Sequence, residues 1–326
     1  MTTIFKFINN ALVIMAAACA LVACTSSGDF ANKQLSQSVD PNFGVLLMAH
    51  GGSDEWNAAV EQAAAKLRAT TPVEIAFGMA DAGSLEAAVR RLEAAGVEHV
   101  GVVRLFISGE SWYQRTEQIL GMEQGAPSKA ESIASAGSRP QMRMPMGFWQ
   151  IETELNFHLS EGGLANAAEM DVVIRDRVAA LSTEPANEVV VVLAHGPGDD
   201  EENRRWLETI SARTQLARSE LGLKDIKVFT LREDWEDKRV TAEAEIRNYI
   251  NAANQGGDEV IVVPYRVQGF GPYAEVLAGV TYRANGEGLL PHSNVGDWIA
   301  NQAASLEVEA VQHQLALIAR GNQSAD

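Results

Sequence analysis

Residues 43–57, FGVLLMAHGGSDEWN, and residues 188–203, EVVVVLAHGPGDDEEN, open in the same way: an apolar run, Ala-His-Gly, a small residue, acidic residues and an Asn. Their histidines, His50 and His195, stand 145 positions apart. An unbroken apolar run followed by an amphipathic stretch predicts a strand buried on both faces and then a helix, the unit of a parallel sheet covered by helices. The plan continues in both halves. VEIAFGMAD (73–81) is answered by IKVFTLRED (226–234), and SLEAAVRRLEAAGVEHVGVVRLFISG (84–109) by TAEAEIRNYINAANQGGDEVIVVPYRVQG (241–269). RMPMGFWQI (143–151) is answered by GLLPHSNVGDWI (288–299). Chance would not repeat these motifs in one order, so the chain reads as a duplicated βα-repeating domain, residues 43–186 and 187–320, with a tail at 321–326. Ser84 is expected to cap a helix that Gly96 stops, and PQMRMPMG (140–147) to form a short fourth strand.

The first 24 residues read as an export signal. Lys6 precedes the apolar run ALVIMAAACALVA (11–23), which is short for a membrane span and ends in small residues. Leu21-Val22-Ala23-Cys24 resembles the bacterial lipobox, whose Cys is lipidated. The expectation is a protein anchored by a lipid on Cys24 to the periplasmic side of a bacterial membrane, with residues 25–42 as a polar tether. Cys19 is the other cysteine of the sequence. The folded part therefore has no thiol chemistry, and its reactive groups are imidazoles, carboxylates and backbone.

Net charge is -17, and loss of the leader with its single Lys6 makes it -18. A nucleic-acid partner is excluded on that balance, because such binding rests on Lys and Arg neutralising phosphates. A nucleotide is not expected either: neither GxGxxG nor GxxxxGK[ST] occurs, and acids follow both Ala-His-Gly loops.

His50 and His195 fall at the carboxyl ends of the first strands, the edge of a parallel sheet where ligands bind. Gly51 and Gly196 follow them and allow close backbone approach to a ligand. A neutral imidazole both ligates borderline divalent metals and accepts a proton near neutral pH. His292 is expected at the same edge in the second half, whereas His99, His158 and His313 read as structural or surface residues.

The stretches VLLMAHGGSDEWN, VVVVLAHGPGDDEEN, FGMADAGSLEAAVRRLEAAGVEHVGVVRLFISG and VIVVPYRVQG resemble the class II chelatases of tetrapyrrole synthesis, the sirohydrochlorin cobaltochelatases and ferrochelatases. The resemblance spans most of the chain after the leader. It implies two tandem flavodoxin-like domains, each with a mainly parallel four-stranded sheet and helices on both faces. The cleft between them would be where Co2+ or Fe2+, or else Ni2+ or Zn2+, enters a tetrapyrrole, and a single chain would suffice without an oligomer. It further implies His50 and His195 as metal ligands and proton acceptors. Members commonly carry another His after strand three; here the loops read ISGES and VQGFGPY, with Glu110 nearest that place in the first half.

Glu110 is accordingly a candidate ligand or base, His292 a candidate ligand, and Trp112, Phe270 and Tyr273 candidate walls for a macrocycle face. Sirohydrochlorin is a polycarboxylate, so this reading also needs local positive charge, for which Arg104, Arg115, Arg139, Arg143, Arg266 and Arg283 are available. Metal insertion is one reading. A non-catalytic extracytoplasmic binder of metal or tetrapyrrole is the alternative, favoured by the export signal and the absent strand-three His.

Overall fold

The computed structural model describes residues 42–136 and 146–323. Cys24, the leader and most of the tether lie outside the described residues, as do Arg139 and Arg143. The first half runs β1 (Phe43–Ala49), α1 (Asp54–Arg68), β2 (Val73–Phe77), α2 (Ala82–Ala94), β3 (His99–Leu105), α3 (Tyr113–Ile119), α4 (Lys129–Ala136), β4 (Asn156–Leu159) and α5 (Glu169–Ala179). The second runs β5 (Glu188–Ala194), α6 (Asp200–Arg213), α7 (Gln215–Leu221), β6 (Asp225–Thr230), α8 (Glu236–Gln255), β7 (Glu259–Tyr265), α9 (Tyr273–Val276) and α10 (Ser293–Gln323). Residues 42–310 form one compact unit. No helix among the described residues is long and apolar enough to cross a membrane.

Both sheets are parallel, in the orders β2-β1-β3-β4 and β6-β5-β7. β1 is flanked by β2 and β3, and β5 by β6 and β7, and both are buried along nearly their whole length. Ala49 pairs with Phe77 and Leu105, and Ala194 with Thr230 and Tyr265. These matching registers bring both Ala-His-Gly loops to the carboxyl edge of their sheets.

Alternation along β1 splits its side chains between two cores. Leu46 and Met48 pack under α2, with Leu85, Val89 and Leu92. Val45 and Leu47 face α1 and α5, and this cluster runs on without a break into Val190 and Val192 of β5 and Trp298 of α10. The halves thus share a core. Each fully buried Val or Leu contributes about 1.5–3 kcal/mol through removal from water.

Three local expectations change. Asp81, not Ser84, caps α2: its carboxylate accepts from the Ser84 N–H at 2.9 Å, because a side chain one turn earlier reaches the free amides. The fourth strand of the first half is Asn156–Leu159, and residues 140–145 of the stretch expected there lie outside the described residues. In the second sheet isolated bridges, Ile261 to Arg283 and Gln268 to Leu290, stand in place of a fourth strand.

Candidate functional site

Both loops share one backbone device. Gly51 and Gly196 have φ of 75° and 77°, and a Cβ there would lie 3.0 Å from Phe77 Cβ and 2.6 Å from Thr230 Cβ. The left-handed turn directs each glycine carbonyl back at its own histidine. Nδ1 of His50 lies 2.7 Å from Gly51 O, and Nδ1 of His195 lies 2.7 Å from Gly196 O. A carbonyl can only accept, so Nδ1 carries the hydrogen and, in the neutral ring, Nε2 keeps its lone pair for a metal or a proton.

The two imidazoles then diverge. His50 is exposed, with Trp56 at 5.7 Å between ring centroids. His195 is half-buried, with Nε2 3.1 Å from Asp234 Oδ2 and 3.9 Å from Glu233 Oε2. At 3.1 Å the pair is joined by a cation, either a proton on Nε2 or a metal ion. Metal–ligand bonds of ~2.1 Å to each would subtend about 95° at the ion, a normal edge of a coordination sphere. The positions matching Glu233 and Asp234 in the first half hold Ala80, buried in the core, and Asp81, which is spent capping α2.

The His195 loop is also clamped. Arg232, at φ 57°, donates to Pro197 O, to Gly198 O at 2.6 Å and to Asp200 at 2.8 Å. Lys238 adds bonds to Gly198 O at 2.7 Å and Asp200 at 2.6 Å. Met79 has the same left-handed backbone, at φ 59°, but no polar group with which to hold the His50 loop.

Both histidines line one cavity of about 950 Å3. Its apolar walls come from Trp56, Phe106 and Trp112 of the first half and Trp206, Trp235 and Tyr265 of the second. The Trp56 indole N–H is buried without a hydrogen-bond partner among the described residues. Carboxylates of Glu110, Asp199, Glu202, Glu233 and Asp234 also line it. Burial, reinforced by the like charges of Glu110 and Asp199, raises the Glu202 carboxyl above its ordinary range.

The structure brings His50, His195, Gly51, Gly196, Glu110 and Trp112 to this cavity. The Glu110 carboxylate is engaged by Arg205 of α6, at 2.9 and 2.7 Å, and so joins the halves across the rim. Tyr273 is not a wall: it is wholly buried in the core beside α8, since the α9 turn points it inward. His292 is also displaced. Its Nδ1 accepts from Asn294 N at the start of α10 and its Nε2 faces Asp176, each at 3.2 Å, in a separate cavity beside Lys66. Glu233 and Asp234 were not singled out in the sequence, although REDW stands where a site residue belongs, directly after the second strand.

Arg104, Arg115, Arg266 and Arg283 serve structure. Arg104 is buried and donates to the carbonyls of Ser160, Ser111 and Gly109, and burial lowers it to about 10. Arg115 holds Ala80 O and Gly147 O, Arg283 pairs with Glu188 and Glu259, and Arg266 pairs with Glu233.

Residues 44–142 match the model of the CbiX family. The match lies within the first half. The two halves together share their fold with SirB from Bacillus subtilis with Fe3+, at 15% identity and a TM-score of 0.52 over 81% of this chain and 95% of that one. A second similar structure is the sirohydrochlorin chelatase SirB from Bacillus subtilis subspecies spizizenii in complex with cobalt, at 14% identity and a TM-score of 0.50 over the same shares. No curated protein matches the chain by sequence. The class II chelatase resemblance is thus borne out by the CbiX match and by the fold.

Proposed function

We propose that this protein is a metal chelatase whose second half holds a divalent ion at His195, Asp234 and Glu233 and presents it to a planar tetrapyrrole in the aromatic cavity. The CbiX match and the SirB-like fold support metal-chelatase function. One observation carries the residue assignment: the 3.1 Å approach of His195 Nε2 to a carboxylate, with Nδ1 already committed to Gly196 O. Co2+ and Fe2+ suit this mixed nitrogen and oxygen set.

The reaction exchanges one divalent ion for two pyrrole protons, with no electron transferred. His50 Nε2, in the same cavity and with no ion pair among the described residues, accepts one proton, and the carboxylates freed by the departing metal accept the other. The aromatic walls hold the macrocycle plane against the ion.

The test follows the absorption spectrum of a tetrapyrrole with Co2+ and the chain beginning at Cys24. Metallated product should form, and His195→Ala should abolish it. Spectral binding of the macrocycle without product would instead establish the alternative, a non-catalytic binder. That alternative is favoured by Glu110 after β3 and Phe270 to Tyr273 after β7 standing where the resemblance places a His. The lipid anchor belongs to the same proposal: mass spectrometry of the membrane fraction should find acyl chains on Cys24, and Cys24→Ala should release the protein.

A further inference from the structure

The cavity is aromatic and acidic together, and this bears on which macrocycle it accepts. Five carboxylates line it against one guanidinium, Arg266, which Glu233 already neutralises. Glu110 is likewise neutralised by Arg205 on the rim. Even with a dication bound at His195, negative charge stays in surplus among the described residues. The amides at the start of α6 cannot offset it, because Asp199 caps them and Asp200, Glu201 and Glu202 fill the first turn. Arg104 and Arg115 are turned to backbone carbonyls. A polycarboxylate ring would set its acids against these acids at close range.

We infer that the cavity selects a planar tetrapyrrole with few carboxylates, such as two, over an octacarboxylate with the same ring. The inference rests on the tetrapyrrole reading above and narrows it. The indole walls supply stacking area that is indifferent to peripheral charge. Glu202 is the specificity-determining group: it is half-buried, and its bond from Trp206 Nε1 at 3.2 Å holds it at the wall.

Quenching of tryptophan fluorescence tests this with two metal-free probes, uroporphyrin with eight carboxylates and deuteroporphyrin with two. The expected preference is roughly tenfold or more for the dicarboxylate at low salt, as several like-charge contacts are avoided. Raising ionic strength from 0.01 to 0.15 M shortens the screening length from about 30 to 8 Å and should shrink the preference. Glu202→Gln keeps the acceptor for Trp206 and should shrink it about threefold by tightening uroporphyrin. Equal or tighter uroporphyrin binding, or a preference that ignores both salt and Glu202→Gln, overturns the inference and leaves the tetrapyrrole reading intact. Failure of both probes to quench overturns the reading and the inference with it.

Discussion

His195 Nε2 and Asp234 Oδ2 lie 3.1 Å apart, one at the end of β5 and the other just beyond β6, while His50 in the matching place has Trp56 beside it and no ion pair among the described residues. A duplicated scaffold therefore carries an unduplicated site. The shared turn makes both imidazoles alike in tautomer, and the residues after the second strand make them unlike in surroundings.

Metal affinity should follow that asymmetry. Asp234→Asn is expected to weaken Co2+ binding by about 10–100-fold, the usual effect of losing a group at a ligand shell. His195→Ala should weaken it further, whereas His50→Ala should leave it within about threefold and instead slow metal insertion. Calorimetric titration of the three variants checks this; a His50→Ala loss equal to that of His195→Ala would refute the assignment of the ion to the second half.

The left-handed turns admit only glycine at low cost. Gly196→Ala places a Cβ at 2.6 Å from Thr230 Cβ and forces an L-residue to φ 77°, so it should cost about 1–2 kcal/mol for backbone handedness plus the clash. Gly51→Ala, with the nearest atom at 3.0 Å, should cost less. Urea unfolding should rank the two in that order, and Gly196→Ala should also impair Co2+ binding, since it moves the carbonyl that orients His195.

Arg232→Met copies the first half into the second. The buried guanidinium serves Pro197 O, Gly198 O and Asp200, and its loss should cost about 2–4 kcal/mol by leaving those acceptors short of donors. Hydrogen exchange across residues 196–200 should rise toward that across 51–55.

Glu188 sets an acid limit on stability. Burial alone would raise its carboxyl, but bonds from the Glu184 and Thr183 amides, the Ser182 hydroxyl and Arg283 lower it from 4.5 to about 2. A carboxyl depressed by folding contributes stability that is complete above 4.5 and is lost as pH falls toward 2. Glu188→Gln should therefore destabilise the protein at neutral pH and flatten the dependence of its unfolding free energy on pH between those values.

The strands were legible because β1, β3, β5 and β7 are buried on both faces, and such burial writes itself as unbroken apolar runs. Short β4 was not, since four residues carry too little pattern, and its expected counterpart in the second sheet is reduced to bridges. Among the site residues, Gly51 and Gly196 were legible because a left-handed turn demands glycine. Tyr273 and His292 were misplaced because residues near a sheet edge can turn toward the cavity, the core or another helix, and spacing does not say which. Glu233 and Asp234 read as part of an acidic stretch, REDWED, in which charge marks no single residue.

By itself, then, the sequence determined the repeated βα order, the two loops and the edge on which both histidines stand, because backbone geometry and two-faced burial act through local pattern. Only the tertiary structure decided that one loop meets a carboxylate pair, that Arg104 turns inward and that five acids share an aromatic cavity. Those relations join residues distant in the chain, and electrostatic energy depends on their separation in space.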